Sequence, residues 1–256
     1  MNACGPSEYL QLLLKRLTAR SVLGAEERAA VLGLPAFARQ VSANREIVRL
    51  GERVDHSCLV GDGFVGRFGQ TEDGKRQLTS LHIPGDLADL YSLMIPSAPS
   101  ALVALGPTTV FQISHAVIRE ATERYPALAA ALWRDCVVDG MILAQWLVNI
   151  GRKNARSRMA HLICEIAIRY AQIGRLENNS FPFPVTQEQM SDALGLTSVH
   201  VNRSLQGLKR EGLVNIGRGR ATILDWNALA FAGEFEPNYL SLSMDEQEKV
   251  RRIGRA

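Results

Sequence analysis

The chain has 256 residues, of which 46% are hydrophobic and 21% are charged, and its formal net charge at pH 7 is +3. This length suits two modest domains, and the apolar content is ample for a core in each of them. Residues 151–220 contain eleven Lys or Arg residues and five Asp or Glu residues, so this stretch carries +6 and the remainder carries −3. A basic C-terminal part on an acidic N-terminal part indicates a nucleic-acid module attached to a second domain.

Several classes of protein are excluded at this point. The apolar run near the N-terminus is short and soon acquires charge, which is not typical of a signal peptide. The most apolar long run, residues 127–150, contains three charged residues, which argues against a membrane span. Four cysteines are scattered without a metal-ligand spacing, so we expect reduced thiols in a cytoplasmic protein with no metal and no cofactor. Redox sensing through Cys4 or Cys58 is an alternative.

The N-terminal half predicts β structure. Six short runs with apolar alternation are separated by glycine or proline turns: Glu46–Leu50, Ser57–Val60, Phe64–Phe68, Gln77–Ile83, Ala101–Leu105 and Val110–Ser114. Many short strands with regular turns favour a sandwich or a barrel. The histidines of this half, His56, His82 and His115, lack the spacing of a metal site, and no catalytic motif or catalytic residue is assigned.

The segment between the halves predicts one long helix over Pro126–Ile150. Apolar or small residues recur at spacings of three and four, at Leu128, Leu132, Cys136, Gly140, Leu143, Leu147 and Ile150. Other apolar side chains spread around the same helix, so packing on a single domain face leaves some of them exposed. Gly151–Asn154 is the expected hinge, and Ala155–Ile173 the next helix.

Residues 184–224 predict a helix, a tight turn, a second helix and a basic hairpin. Thr186 and Gln189 form a capping-box pattern, Gly195 ends the first helix, and Thr197 caps the second. One face of the second helix is apolar, and the opposite face carries Val199, Arg203, Gln206 and Arg210. An arginine-bearing face on a short helix suits a DNA major groove.

The hairpin follows from two β-like runs joined by residues 217–220. The glycines Gly217 and Gly219 permit a tight turn, and Arg218 and Arg220 suit contact with a phosphate backbone. This order of elements is the plan of a winged helix-turn-helix. A plain helical hairpin with a solvated basic face is the alternative.

These motifs together resemble the Crp/Fnr family of bacterial transcription regulators. The family's DNA-reading pattern is matched at Thr186, Gly195, Thr197, Arg203, Leu205 and Leu208. Upstream, Leu50-Gly51-Glu52, Asp73–Gln77 and Pro84-Gly85-Asp86 resemble the turns of its cyclic-nucleotide-binding-type jelly roll. The resemblance covers about Leu23 to Tyr239, and it implies that the long helix is a dimer seam.

The chain departs from the nucleotide-binding members of the family in one segment. Those members carry a Gly-Glu pair whose glutamate holds the ribose, followed by an arginine that pairs with the cyclic phosphate. Here the segment begins Gly85-Asp86 and contains Asp89, and no Lys or Arg occurs from Gln77 to Ile118. A buried phosphate without a cationic partner is costly, so we expect no control by cyclic AMP. We interpret Asp86 and Asp89 as turn and strand-end residues that would repel an anion.

The resulting prediction is an α+β protein with an N-terminal β jelly roll, a long dimerisation helix and a C-terminal winged helix-turn-helix. The expected boundaries are residues 1–125 for N-terminal helices and jelly roll, 126–153 for dimerisation helix and hinge, 154–240 for the DNA-binding domain, and 241–256 for a tail. The candidate DNA-binding residues are Thr186, Thr197, Ser198, Val199, His200, Asn202, Arg203, Gln206, Arg218 and Arg220. The expected partners are double-stranded DNA, a second copy of the chain and RNA polymerase, with an unknown effector and no membrane.

Two alternatives from other classes remain open. One is a ligand-sensing or protein-interaction module whose helix-turn-helix does not bind DNA, which salt-sensitive duplex binding would distinguish. The other is a cupin-like enzyme, which bound metal after purification would support.

Overall fold

The computed structural model describes residues 6–244 and residue 248. Cys4 and most of the predicted tail at 241–256 therefore lie outside the described residues. The chain divides into two compact units, each taken separately below. One unit comprises the residues up to Gly69 and Ser80–Asp139, and the other comprises Gln70–Thr79 and the residues from Gly140 onward.

The N-terminal unit begins with two helices, α1 at Pro6–Thr18 and α2 at Ala25–Leu32. Helix α1 buries one face through side chains that include Tyr9, Leu13 and Leu17. It also contains a basic residue, Arg16, that is as buried as its leucines. A fully buried arginine requires anionic partners, which are described below.

The jelly roll is built from two antiparallel sheets. Its strands are β1 at Phe37–Val41, β2 at Glu46–Val48, β3 at His56–Asp62, β4 at Val65–Gln70, β5 at Arg76–His82, β6 at Ala101–Ala104 and β7 at Thr108–Ser114. One sheet has the order β1-β7-β3 and the other the order β2-β6-β4-β5. All six predicted strands are present, with ends shifted by up to two residues. Strand β1 was not predicted, because four of its five residues are exposed and it lacks an apolar alternation.

The core of the jelly roll consists largely of small and β-branched side chains. Its members include Val60, Val65, Ala88, Leu102 and Val110, each at most 1% exposed. A short 3-10 turn at Leu90–Leu93 follows the segment that resembles the family's ligand segment. The fold therefore places that segment directly against the packed interior.

Helices α3 at His115–Arg124 and α4 at Pro126–Arg152 follow the jelly roll. The prediction that Gly151–Asn154 forms the hinge was partly wrong, because α4 continues through Arg152. Asn154 instead caps the next helix, its side chain accepting a hydrogen bond from the Ser157 amide at 3.0 Å. Only Lys153 and Asn154 thus separate the two helices.

The expectation that packing on one face leaves apolar residues of α4 exposed was confirmed. Leu128 and Leu132 are buried within their own unit, whereas Trp133, Val137 and Leu147 are 73%, 48% and 71% exposed. Both faces of the helix are rich in apolar residues, so spacing alone could not indicate which face packs on the chain itself.

The C-terminal unit is a three-stranded sheet with helices. Its elements are α5 at Ala155–Gln172, β8 at Ser180–Pro182, α6 at Gln187–Leu194, α7 at Ser198–Arg210, β9 at Val214–Gly217, β10 at Arg220–Ile223 and α8 at Trp226–Gly233. The sheet order is β8-β10-β9, so the predicted hairpin has a third strand. Leu229, Phe235 and Tyr239 are buried in this unit, and Trp226 is half-buried. Within the described residues, no helix has the length and apolarity needed to span a membrane.

Candidate nucleic-acid interface

The first helix of the pair, α6, begins with the predicted capping box. The Gln189 amide donates to Thr186 Oγ1 at 3.2 Å, and the Thr186 amide donates to Gln189 Oε1 at 2.9 Å. Two otherwise unpaired amides are satisfied in this way, which fixes where the helix starts. Thr186 itself is exposed at this N-terminus.

The turn between the helices depends on one glycine and one threonine. Gly195 follows α6 with φ of +60°, a left-handed conformation that glycine adopts without steric cost. Thr197 then caps α7, and its Oγ1 accepts a hydrogen bond from the His200 amide at 3.4 Å. The direction of α7 is therefore determined by local sequence.

Helix α7 has one buried and one exposed face. The buried residues are Val201, Ser204, Leu205 and Leu208. The predicted DNA-binding residues on this helix are all exposed, namely Ser198, Val199, His200, Asn202, Arg203 and Gln206. The sequence pattern thus predicted correctly which face of the helix is free.

Arg203 stands out on the exposed face because its guanidinium is not engaged. It has no hydrogen bond or ion pair with any residue that the structure describes. Val199, one turn earlier, is 66% exposed. An unengaged guanidinium fork beside an apolar side chain can bind a guanine edge and a neighbouring thymine methyl group.

The other candidates on α7 make weak contacts with α6 or with each other. Asn202 Nδ2 lies 3.4 Å from Gln187 Oε1, and the hydroxyls of Ser198 and Ser191 are 3.4 Å apart. These contacts are long and exposed, so water or DNA can replace them at little cost.

The hairpin formed by β9 and β10 turns at Arg218 and Gly219, with φ of +51° and +72°. This differs from the prediction that Gly217 and Gly219 permit the turn, because Gly217 is the last residue of β9. Two central residues with positive φ match the twist of a two-residue hairpin. Arg218 therefore occupies a conformation that is unusual for a non-glycine residue, and both it and Arg220 are exposed.

Three side chains that the sequence did not indicate donate hydrogen bonds to the backbone of α6 and of the hairpin. Lys209 of α7 donates to the Ile216 carbonyl oxygen of the hairpin. Gln77 Nε2 donates to the Asp192 carbonyl oxygen at 2.6 Å, and Arg158 Nη1 donates to the Leu194 carbonyl oxygen at 2.9 Å. The latter two satisfy carbonyls at the C-terminal end of α6, where a helix lacks internal partners. These contacts depend on tertiary packing and carry no signal of sequence spacing.

The segment after Gly85 is bonded along the edge of β3. The Val60 and Gly85 amides donate to the Asp86 and Val60 carbonyl oxygens at 2.9 and 2.8 Å. The Asp89 carboxylate accepts from the Cys58 amide at 2.6 Å, and Asp86 Oδ2 accepts from the Ile83 amide at 2.9 Å. Both aspartates are 1% exposed and have backbone partners, in keeping with structural roles.

The expectation that these aspartates repel an anion stays a prediction, but Asp86 has a partner that the sequence did not indicate. Arg16 of α1 forms an ion pair with Asp86, so its charge is compensated from outside the cation-free run. Arg67 of β4 also reaches this segment, since its Nη2 donates to the Ala88 carbonyl oxygen and its guanidinium lies 4.8 Å from the Tyr91 ring centroid. Arginines distant in sequence thus reach a segment that has none of its own.

Cys58 is fully buried beside Asp89, and burial raises the pKa of its thiol well above the ordinary value. A buried thiol with a raised pKa has little thiolate, which disfavours oxidation at this site. Among the described residues, no group of three or more His, Cys, Asp or Glu side chains is placed to hold a metal ion.

Comparison with known proteins agrees with this architecture. Residues 38–125 match the model of the cyclic nucleotide-binding domain, and residues 157–231 match that of the Crp-like helix-turn-helix domain. The chain is 27% identical over 212 residues to the transcriptional activator protein FnrL of Cereibacter sphaeroides, covering 79% of this chain and 83% of that protein. It is 28% identical to the transcriptional regulatory protein btr of Bordetella pertussis, covering 76% and 84%.

The solved structure of FixK2 from Bradyrhizobium japonicum shares this fold. It superposes with a TM-score of 0.67 at 22% sequence identity, covering 78% of this chain and 98% of that one. The predicted fold class, with a jelly roll, a long helix and a winged helix-turn-helix, is thus confirmed. The chain belongs to the Crp/Fnr family and is a DNA-binding transcription regulator.

Proposed function

We propose that the chain acts as a homodimer in the cytoplasm, reads a near-palindromic DNA site through α7, and does not require a cyclic nucleotide. The observation that carries this proposal is the exposed face of α7, where Arg203 has no partner among the described residues. Regulation is the proposed role, without catalysis. RNA polymerase is the further partner that such a regulator would meet at a promoter.

Base reading is assigned to the N-terminal half of α7. Arg203 reads a guanine through its two-pronged guanidinium, and Val199 contacts a thymine methyl group. Ser198, His200, Asn202 and Gln206 are the neighbouring contacts, exposed on the same surface. A bidentate pair of this kind contributes about 1–3 kcal/mol of discrimination between bases.

Backbone contacts are assigned to the edges of this surface. Thr186 lies at the N-terminus of α6, where free amides and the helix dipole attract phosphate. Thr197 has the same position on α7. Arg218 and Arg220 of the hairpin contact the adjacent phosphates, which contributes affinity but no sequence preference.

Dimerisation is supported by a regular exposed stripe on α4. Alternating steps of four and three residues join Pro126, Ala130, Trp133, Val137, Gly140, Ala144, Leu147 and Gly151, and all of these are exposed. This is the spacing of a left-handed coiled-coil seam, and its small residues allow a second helix to approach closely. A second copy of α4 is the partner whose own stripe matches this one.

Independence from cyclic nucleotides is supported by the contacts of the segment after Gly85. Asp86 lies where the family pattern places the ribose-binding glutamate, and it already binds Arg16 and the Ile83 amide. Arg67 already binds the Ala88 carbonyl oxygen and stacks on Tyr91. A nucleotide would have to displace these internal partners, so its net affinity is expected to be low.

Selection from random duplexes with the purified protein tests the DNA-binding proposal. We expect an enriched near-palindrome with half-sites about one helical turn, or roughly 34 Å, apart. Enrichment of one asymmetric half-site bound by a single chain would contradict the dimeric reading. Absence of duplex binding would contradict the base-reading assignment as well, and binding that is insensitive to salt would contradict the assigned phosphate contacts.

Calorimetry with cyclic AMP and cyclic GMP tests the control mechanism. We expect no micromolar binding, and equal operator affinity with and without either nucleotide. Micromolar binding that raised operator affinity tenfold, about 1.4 kcal/mol of coupling, would overturn this part of the proposal.

A further inference from the structure

A buried guanidinium on α1 joins parts of the N-terminal unit that are far apart in sequence. Arg16 is 2% exposed. Its Nε donates to the two oxygens of Asp135 at 2.8 and 3.0 Å, its Nη2 donates to Asp139 at 2.9 Å, and its Nη1 donates to Asp86. One side chain thus connects the turn after β5 with the middle of α4.

The cluster around Arg16 is close to charge balance. Arg20 Nη1 donates to Asp135 at 2.7 Å, so two guanidinium groups face three carboxylates. Asp86, Asp135 and Arg20 are buried, and Asp139 is 19% exposed. Three carboxylates in such a site need their counter-charges, because an isolated buried ion is very unfavourable.

The turn that Arg16 binds is also in direct contact with α1. Gly85 has φ of +90°, and a Cβ atom built on it would lie 3.0 Å from the Cβ of Leu12. A side chain at this position would be strained by the backbone and would push α1 away. The glycine therefore permits the close approach that brings Arg16 to Asp86.

We propose that Arg16 is a positioning residue that takes the place of a bound effector. Its ion pairs form a permanent link between the turn at Asp86 and α4, the helix that carries the exposed stripe proposed for dimerisation. This inference rests on the proposed function, a dimer that binds DNA without a nucleotide. It adds a cause for the independence from a nucleotide. Because the chain itself supplies the link, no ordering step is left for a ligand to drive.

The chemistry of the link indicates how it can be broken and restored. Arg16→Ala removes the guanidinium and leaves a space lined by carboxylates, which methylguanidinium can occupy with the same planar donors. Lysine offers a charge without the fork, so Arg16→Lys should retain only part of the function. A regulator that needs no effector would thus become one that responds to a small cation.

The experiment measures dimer dissociation by sedimentation and operator affinity per folded dimer, with and without methylguanidinium chloride. For Arg16→Ala we expect the operator affinity to fall at least tenfold. Millimolar methylguanidinium should then raise the operator affinity of this variant at least threefold. Sodium chloride at equal ionic strength should have no such effect. Arg134→Ala is the matched control, because Arg134 of α4 binds the Arg20 carbonyl oxygen and the Ser21 hydroxyl without joining the carboxylates.

A charge-balanced variant keeps the test decisive if Arg16→Ala fails to fold. Arg16→Met combined with Asp86→Asn and Asp139→Asn removes one positive and two negative charges and keeps the Arg20–Asp135 ion pair. We expect this variant to fold but to bind the operator at least tenfold more weakly. Wild-type operator affinity and dimerisation in either variant would overturn the inference, whereas failure of the wild-type chain to bind DNA would instead overturn the proposed function.

Discussion

Replacement of Arg218 by asparagine should separate the stability of the hairpin from its role in DNA binding. Arg218 and Gly219 form the centre of the turn with φ of +51° and +72°. Left-handed backbone costs an ordinary L-residue about 1–2 kcal/mol, and asparagine tolerates it better than arginine does. Arg218 also has no partner among the described residues, so its replacement removes no internal contact.

The expected magnitudes have opposite signs for stability and affinity. Relief of the turn should stabilise the C-terminal unit by about 0.5–1 kcal/mol and raise its melting temperature by roughly 2–8 °C. A dimer that loses one phosphate contact from the hairpin of each subunit should show a smaller slope of the logarithm of the DNA-binding constant against the logarithm of the salt concentration. The slope should fall in magnitude by about 1.8. Between 50 and 200 mM salt, this change in slope corresponds to about a tenfold change in affinity.

The assay combines thermal unfolding with operator binding at several salt concentrations, on specific and on random duplexes. Arg45→Asn is the matched control, because it removes the same charge from an exposed arginine of the jelly roll. The Arg218 variant should weaken both duplexes by similar factors, and the control should weaken neither. An unchanged salt slope, or a lower melting temperature, would refute the assignment of Arg218 to a strained turn at the phosphate backbone.

Three further substitutions test separate parts of the proposal. Arg203→Ala should cost about 1–3 kcal/mol in operator binding and relax the preference at one base pair per half-site, whereas Arg210→Ala should leave the preference intact in a repeated duplex selection. Thr197→Ala removes the cap of α7 and should lower the free energy of unfolding by about 0.5–2 kcal/mol in urea melts, and a smaller loss would argue against the cap. Val137→Glu should convert the dimer to a monomer in sedimentation, while Phe37→Glu, at another exposed apolar residue, should not.

The helix-turn-helix could be predicted from the sequence because its determinants are local. Capping residues at Thr186 and Thr197 and a glycine at the turn act within a few residues, and the 3.6-residue period fixes which face of α7 is buried. The strands of the jelly roll were likewise predicted from alternation and turns. Strand β1 was missed because an exposed edge strand needs no apolar face.

The contacts around Asp86 could not be predicted because they join residues far apart in the chain. Arg16 and Asp135 are 119 residues apart, and neither lies in a recognisable motif. Residues 77–118 contain no Lys or Arg. This absence does not indicate which arginines from other parts of the chain pack against that stretch. Charge patterns are informative within one element and become unreliable once tertiary packing brings distant elements together.

A buried histidine in the C-terminal unit provides a prediction about pH. His161 Nδ1 lies 3.0 Å from Lys153 Nζ, and its Nε2 lies 3.0 Å from the Tyr239 hydroxyl, which donates to Glu165 at 3.0 Å. Burial and the adjacent Lys153 ammonium lower the pKa of His161 to about 4. With Lys153 as donor, the neutral ring accepts at Nδ1 and donates at Nε2, so protonation would break this network.

The sign of the effect follows from which state binds the proton. Between the unfolded pKa of His161 near 6.5 and its folded value of about 4, only the unfolded chain is protonated, so stability is lost as pH falls through this window. The full shift corresponds to about 3 kcal/mol. Burial raises the pKa of Glu165, which acts in the opposite direction at the other end of the network. Urea melts from pH 7.5 to 4.5 should show the loss in the wild-type chain, and His161→Gln, which cannot titrate, should flatten it. A wild-type slope that persisted in this variant would assign the acid sensitivity to other groups.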